Sequence, residues 1–482
     1  MTYSTAPQKP EIVADDKGGA IVAWFKKPGF AWIGSAEQEK LYIQHVNSRG
    51  ESLWGKQGKE VYAPDIQPET MHLCGDHQGG AVIAWSSNWR PKKDAPTPAV
   101  YVQKYDADGN EVWTRGGIKV SPDSNANKLQ YDLLGMTVNN SNSIFLVWQT
   151  EKQLNDISWE MTVYVQKIDG NGKCSWGEDG KLIQNTYSGA INILSDRSGN
   201  LVIIYAGAEE QQNNGTINFN IYAQKFDAAG NPLWNNTLPV IQTGTNGYLH
   251  LQTIDNGYGN LLIAYTSIWK SSEYGNSKVY LQKIDPNGKP LWDKYEKELC
   301  QIMSSQTESN LVGDGNGGCI TTWHDTRDRP NRGVYAQRID TNGNPMWKPE
   351  GVAIWGTTGI DQSTLLVGSY DLNITSDNDG GSIIVWQFGQ IPPQSSNYEG
   401  GQINAQKLSP NGGILWGPNG VSVYFNSSIK TQRYSNIISD GDGGVIICSS
   451  VATDKQSDAV FLQKIDVDGK RTWGDEGIKP NP

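Results

Sequence analysis

The apolar positions of the chain fall in short runs, separated by clusters of Gly, Asp, Asn and Ser. Ala81-Val82-Ile83-Ala84-Trp85 and Val100-Tyr101-Val102 are two such runs. Short runs rich in β-branched and aromatic residues, bounded by turn residues, predict strands rather than helices. The runs are copies of one another. Gln recurs at Gln44, Gln103, Gln166, Gln224, Gln282, Gln337, Gln406 and Gln463, and ten residues after each stands a Trp: Trp54, Trp113, Trp176, Trp234, Trp292, Trp347, Trp416 and Trp473. Between them a turn Gly recurs at Gly50, Gly109, Gly172, Gly230, Gly288, Gly343, Gly412 and Gly469. Upstream of each Gln lies a turn followed by an apolar run and an aromatic position; the turn reads Asp-x-x-Gly-Gly in five copies, as in Asp314 to Trp323 and Asp377 to Trp386, and ends Gly199-Asn200 and Gly259-Asn260 in the fourth and fifth. Blade 3 replaces the Gly pair with Asn142 and Ser143, blades 4 and 5 carry Tyr205 and Tyr265 for the Trp, and blade 8 has Ser449 there.

Each copy predicts four antiparallel strands. The first precedes the Asp-x-x-Gly-Gly turn, the second is the apolar run, the third carries the Gln and the fourth carries the closing Trp. Gly supplies the positive φ of a tight turn, and Asp or Asn ties its own backbone. Eight copies of a four-stranded unit predict an all-β, eight-bladed β-propeller. The expected blades span about 8–68, 69–131, 132–190, 191–248, 249–308, 309–370, 371–434 and 435–482 of a single domain. One four-stranded sheet has two faces and buries neither alone, so blades stacked around an axis bury them against neighbours, with the aromatics as wedges. Burying one Trp contributes roughly 2–3 kcal/mol.

The repeat also says what is not a site. A Gln present in every blade marks no single locus; it is expected to satisfy backbone groups inside the ring. The repeated Asp106, Asp169, Asp227, Asp285, Asp340 and Asp466 are expected to order their own hairpins. Whether Met1 to Pro10 clasps the ring is left open by the sequence.

The sixth repeat is the fullest: Trp323-His324-Asp325-Thr326-Arg327-Asp328, then Val334-Tyr335-Ala336-Gln337-Arg338-Ile339-Asp340. It resembles a repeat of secreted bacterial β-propeller proteins, in which an aromatic-x-Asp-x-Arg run precedes a Tyr-Ala-Gln-Arg strand. The resemblance extends from about Pro10 to Lys479. It implies a propeller exported to the cell surface or medium and implies no particular activity. The Asp-box of sialidases is similar in carrying Asp, Gly and Trp on a hairpin, but its spacings are shorter.

Composition narrows the partners. The net charge of −11, with no cluster of Lys and Arg, argues against nucleic acid. No apolar run approaches the roughly 18 residues of a membrane-spanning helix. Cys74, Cys174, Cys300, Cys319 and Cys448 are scattered, with no C-x-x-C, so neither a metal cage nor a disulfide framework is expected. Asp377-Asn378-Asp379-Gly380 and Asp440-Gly441-Asp442-Gly443 are acidic enough for calcium but lack the downstream bidentate Glu, and hairpin turns explain them. No metal site and no cofactor is predicted.

Topology locates the variable face. In a four-stranded meander the first and third connections share one end, and the second connection shares the other with the interblade link. The first and third are short and uniform here; the second is long and different in every blade. Function concentrates in such loops. Trp32, Trp89, Trp159 and Trp269 are assigned to them, beside Phe30, Phe219, Tyr274 and Tyr398. Aromatics outside the repeat stack on sugars, anchor protein partners, or simply close their own loops. Asp325 and Arg327 follow the second strand of blade 6, where they serve either a ligand or loop order. Glu151 and Glu160 flank the blade 3 loop, a pair of the kind that hydrolyses glycosides. His45, His72, His77, His250 and His324 show no zinc spacing, and no nucleophile elbow appears.

The first reading is therefore a non-catalytic propeller, extracellular or at the cell surface, that binds a glycan or protein through Trp32, Trp89, Trp159, Trp269, Asp325 and Arg327. No catalytic residue is assigned. The enzymatic alternative is a glycan-active hydrolase or lyase with carboxylates in the central funnel. The third reading is an architectural module of a surface assembly.

Overall fold

The computed structural model describes residues 9–26, 40–61, 67–88, 98–122, 129–153, 159–183, 190–210, 217–234, 239–245, 250–268, 277–292, 297–327, 333–355, 366–391, 399–424, 429–453 and 456–480. They form an eight-bladed β-propeller of antiparallel blades. Blade 1 is representative: Glu11–Ala14, Ala20–Lys26, Lys40–Val46 and Lys59–Val61 pair in sequence order, and the fourth strand follows the closing Trp54 instead of carrying it, because the Trp belongs to the turn that precedes that strand. The innermost strands of blades 2 to 8 are Gln67–Gly75, Leu129–Val138, Ile191–Ser195, His250–Asp255, Gln306–Gly313, Leu366–Ser376 and Ile429–Ser439. Several begin earlier than the repeat boundaries imply, because the inner strand has no motif at its start. In blade 8 the fourth position is a single antiparallel bridge, Leu462 to Ile478, with 2.8 Å bonds in both directions. No helix among the described residues is long and apolar enough to cross a membrane.

Among the described residues there is no central core. The buried apolar side chains form eight clusters, one at each seam between blades. Trp54 and Val61 of blade 1 meet Leu73 and Trp85 of blade 2, and the series continues around the ring. The last cluster joins Ile446, Leu462 and Trp473 of blade 8 to Ile12, Val22 and Trp24 of blade 1. Among the described residues the first and last strands thus keep their own blades, and the ring closes by packing and by bonds such as that of Gln44 Nε2 to the Pro480 carbonyl at 3.2 Å.

Three repeated bonds order the turn face, and the first of them crosses every seam. Each closing Trp donates its indole N–H to a turn carbonyl of the next blade, from Trp54 to Ala107 at 3.0 Å round to Trp473 to Ser48 at 3.2 Å. The turn Gly lies beneath that ring: a Cβ on Gly109 would stand 2.6 Å from Trp54, quite apart from its φ of 77°. The residue after each Gln is basic. Lys104, Lys225, Arg338, Lys407 and Lys464 each pair with the Asp of the first turn in their own blade, and Lys464 also donates to the Gly18 carbonyl of blade 1 at 3.1 Å. His45 replaces it in blade 1, 2.9 Å from Asp15. Gln166, Gln337, Gln406 and Gln463 each donate to one backbone carbonyl and accept from the amide of their Trp, and Gln44 does the same with Gly55 and Trp54 while donating also to the Pro480 carbonyl, so the repeat Gln is structural. Asp106 accepts the amides of Asp108 and Asn110, the hairpin role expected of it.

Blade 8 shows how the ring tolerates a departure. Where Ser449 replaces the aromatic, Tyr424 enters from the end of blade 7. Its hydroxyl meets the Ser449 Oγ at 2.9 Å, and its ring packs beside Gly477 as Trp24 packs beside Gly58 in blade 1. The aromatic is restored from outside the repeat.

Candidate functional site

The loop face begins where the second strand of each blade ends and the innermost strand starts. Trp32, Trp89 and Trp269, with Phe30, Tyr274, Tyr398 and Asp328, lie outside the described residues. Trp159 opens the third strand of blade 3, Trp159–Ile168, opposite Gln153, instead of lying in the loop; Glu160 follows it opposite Lys152. Phe219 is likewise in a strand, Ile217–Phe226, and packs at the seam of blades 4 and 5. Strand alternation simply continues further than the repeat motif does.

Asp325 and Arg327 are brought together. The Asp325 carboxylate accepts from the Trp323 indole at 3.0 Å, the Arg327 amide at 2.9 Å and the Arg327 guanidinium at 2.6 Å. Arg327 also donates to the Glu350 carbonyl at 2.9 Å and lies over the Tyr335 ring, 3.8 Å from its centroid. Burial opposes ionisation of Asp325, but the hydrogen bonds and the Arg327 charge hold its carboxyl below the usual range. The motif forms a self-contained cap on the Trp323–Tyr335 stack. Trp85, Trp148 and Trp386, the equivalent residues of other blades, lack such an acid, and their buried indole N–H groups have no partner among the described residues.

A different acid has the environment of a working group. Asp132 stands on the innermost strand of blade 3, opposite Gln149; Glu151, two residues on from Gln149, pairs with Gln130. Residues at this spacing share one face of a sheet. That face meets blade 4, because Phe145 and Val147 on the same side pack in that seam. Gln149 Nε2 donates to Glu151 Oε1 at 2.7 Å, while Gln149 Oε1 is buried with no hydrogen-bond partner among the described residues. Burial raises the Asp132 carboxyl above the usual aspartate value, and the Glu151 charge adds to the rise. The resolved shifts of the other described carboxyls, at Asp15, Asp106, Asp196, Asp227 and Asp325, all run downward. The register thus sets Asp132 and Glu151 on one sheet face, at the loop end of the seam between blades 3 and 4. Glu151 was legible as a candidate, though with Glu160 as its partner. Asp132 was not, because only the pairing register brings it alongside.

Polar residues four before the first turn form a second inner feature that the repeat did not reveal. Asn192, Asn310 and Asn373 donate to carbonyls of the next blade's inner strand at Leu251, Leu372 and Ser435. In blades 1 and 2 the same position holds Glu11 and His72, paired at 3.1 Å. The signal was present as an Asn at constant distance from the turn.

No known protein family and no curated protein matches the chain. Solved propellers are similar in outline. A polysaccharide lyase, an ulvan lyase, aligns at 10% identity and TM-score 0.45, covering 86% of this chain and 96% of its own. An endo-arabinase from Bacteroides thetaiotaomicron aligns at 16% identity and TM-score 0.32, covering 58% and 95%. A Hadza microbial sialidase aligns at 11% and 0.35, covering 79% and 76%. No residue role passes from them to this chain.

Proposed function

We propose that this protein is a glycan-active propeller that acts at the loop end of its funnel, with Asp132 as proton donor and Glu151 as its charged partner. The observation that carries the reading is the register that sets Asp132 and Glu151 on one face of blade 3, with Gln149 bonded to Glu151 between them; burial, which raises the Asp132 carboxyl, agrees with it. Two carboxyls whose environments set them apart are the means by which glycosidic oxygen is protonated while positive charge on the sugar is met by a carboxylate. Gln149 suits the same chemistry, since it orients Glu151 and offers a free amide oxygen to a substrate hydroxyl. This favours the enzymatic alternative over the non-catalytic binder expected first, whose aromatic residues are mostly not among those described. The similar propellers bear the names of a lyase, an arabinase and a sialidase; those names supply the substrates to try first and no part of the argument. Export to the medium or cell surface, implied by the repeat resemblance, belongs to the same reading.

The test is release of new reducing ends or unsaturated sugars from a panel of plant, algal and bacterial polysaccharides. Turnover that drops roughly 10²–10⁴-fold in Asp132→Asn, the usual loss of a general acid, supports the assignment. Turnover indifferent to Asp132→Asn and Glu151→Gln, or no turnover on any glycan, overturns it.

A further inference from the structure

Among the described residues, the loop end of the seam between blades 3 and 4 holds charge of one sign. By register, the face of blade 3 that meets blade 4 carries Asp132 on its inner strand, Gln149 and Glu151 on the second, and Met161 opposite Glu151 on the third. Across the seam, blade 4 has Tyr205 and Tyr222 in the shared cluster and Gly207 beyond them. This end of the seam reaches solvent: Met161 is 42% exposed, and Asp132 and Glu151 are half-buried. Gln149 is 5% exposed, and its amide oxygen has no partner among the described residues. That oxygen only accepts, so it suits a donor such as a sugar hydroxyl.

The described cations of these two blades stand elsewhere. Alternation puts Lys152 on the opposite face of blade 3, paired with Leu129 and Glu160. Lys167 donates to the Ala228 carbonyl and Lys225 pairs with Asp196, both at the turn face. Lys181 lies over the Trp176 ring, and Lys173 and Arg197 belong to turns. The connecting segments 154–158, 184–189 and 211–216 contain Asp156 and no Lys, Arg or His. The segment leading into blade 3 contains one acid, Asp123, and one base, Lys128. By contrast, the second connection of blade 2 contains Arg90, Lys92 and Lys93.

Charge decides what such a face admits. A uronate or sulfate at contact distance from Glu151 meets like charge, which disfavours it about 5-fold even in water. Elimination beside a uronate asks for more. It takes the proton next to the carboxylate and builds further negative charge there, which has to be met by a cation or a strong donor. Hydrolysis asks for the opposite: a proton for the leaving oxygen, and a carboxylate to face positive charge on the sugar. Burial, which raises the Asp132 carboxyl, favours the proton that hydrolysis needs.

We propose that this site hydrolyses glycans whose sugar units carry no acid group, and that it is not a lyase. The inference rests on the proposed function for the site and adds its substrate class and reaction. The glycosidic C–O bond breaks, and its electron pair goes to the leaving oxygen, which takes the proton of Asp132. A water oxygen bonds to the sugar carbon in its place, and the proton that this water gives up goes to a carboxylate of the pair. One water is consumed and each fragment ends in a hydroxyl.

The full chain is incubated with neutral polysaccharides, with their carboxymethylated forms, and with uronate and sulfated polysaccharides. Reducing ends and the ultraviolet absorbance of unsaturated sugars are followed together. New reducing ends from a neutral glycan are expected, without absorbance, and with turnover at least about 5-fold lower on its carboxymethylated form. Met161→Lys sets a cation opposite Glu151 and is expected to narrow that ratio roughly 3–10-fold. Unsaturated products, faster turnover of an anionic glycan, turnover of one that depends on added calcium, or an unchanged ratio in Met161→Lys overturns the inference. Where such turnover is lost in Asp132→Asn, the site stands and only its substrate class falls. No turnover of any glycan takes both down.

Discussion

Glu308 and Asp371 occupy the same place in consecutive blades, six residues before the first-turn Asp, each on a bulge of the innermost strand and each at positive φ. Their surroundings differ. Asp371 accepts from both the amide and the hydroxyl of Ser435 in blade 8, and Lys9 from the start of the chain stands 3.2 Å away. That acid locks blade 7 to blade 8 and is 18% exposed, whereas Glu308 is half exposed and stands 3.0 Å from the buried His324 of its own blade. The comparison extends to whole faces. At the turn face, polar groups are paired blade after blade by the same bonds. At the loop face, that regular pairing is broken in blades 3, 5 and 6. Bonds that recur with the ring hold it together; an acid that departs from the pattern and reaches solvent can meet a ligand.

The largest effect is expected at the turn face, where the ring closes. Trp473→Ala should destabilise the protein by about 3–5 kcal/mol, the cost of emptying a buried aromatic site, read as a fall in denaturant midpoint. A loss no greater than that of an exposed substitution would mean that the seam of blades 8 and 1 is not closed by this residue. The two bulged acids should then separate in sign. Asp371→Gly removes bonds to Ser435 and should cost about 1–2 kcal/mol. Glu308→Gly relieves backbone strain of about 1–3 kcal/mol and loses one half-exposed contact with His324 of about 1 kcal/mol, so its melting temperature should rise or hold. Equal destabilisation by both would erase the distinction drawn between them.

The smallest effects are in pH dependence, and they have opposite signs. The pKa of Asp132 is raised on folding. Its contribution to stability is complete below the ordinary aspartate value and is lost as pH rises through the raised one. Asp132→Asn should therefore gain stability relative to the wild type as pH rises towards neutrality. The pKa of His250 is lowered. Stability is lost as pH falls below the ordinary histidine value through the lowered one, and His250→Gln should remove that acid-side loss. Chemical denaturation at several pH values measures both. Profiles that stay parallel to the wild type would show that neither group is perturbed by the fold.

The fold was legible because the ring is built from one repeated solution. The Gln, the Gly and the Trp recur at fixed spacing since each seam needs the same amide bond, the same close approach and the same wedge. The tie from each closing Trp to the next blade was hidden, although both of its ends lie in the motif. Sequence spacing within one blade does not tell which neighbour a side chain meets. Tyr424 was hidden for a related reason: it takes the aromatic's place in blade 8 from a segment that belongs to no repeat.

The sequence by itself determined the number of blades, their four strands, the plain face and the variable face, and the structural standing of every repeated residue. These follow from local rules of turn chemistry and alternation. Tertiary structure decided the chemistry. Asp132 acquires its raised proton affinity from burial and from Glu151, nineteen positions away on the neighbouring strand. Asp325 is claimed by Trp323 and Arg327, and Glu308 meets His324 only because the inner strand of blade 6 bulges beside the second strand. Burial and charge at a site are set by what folding brings alongside, and a linear pattern carries no measure of that distance.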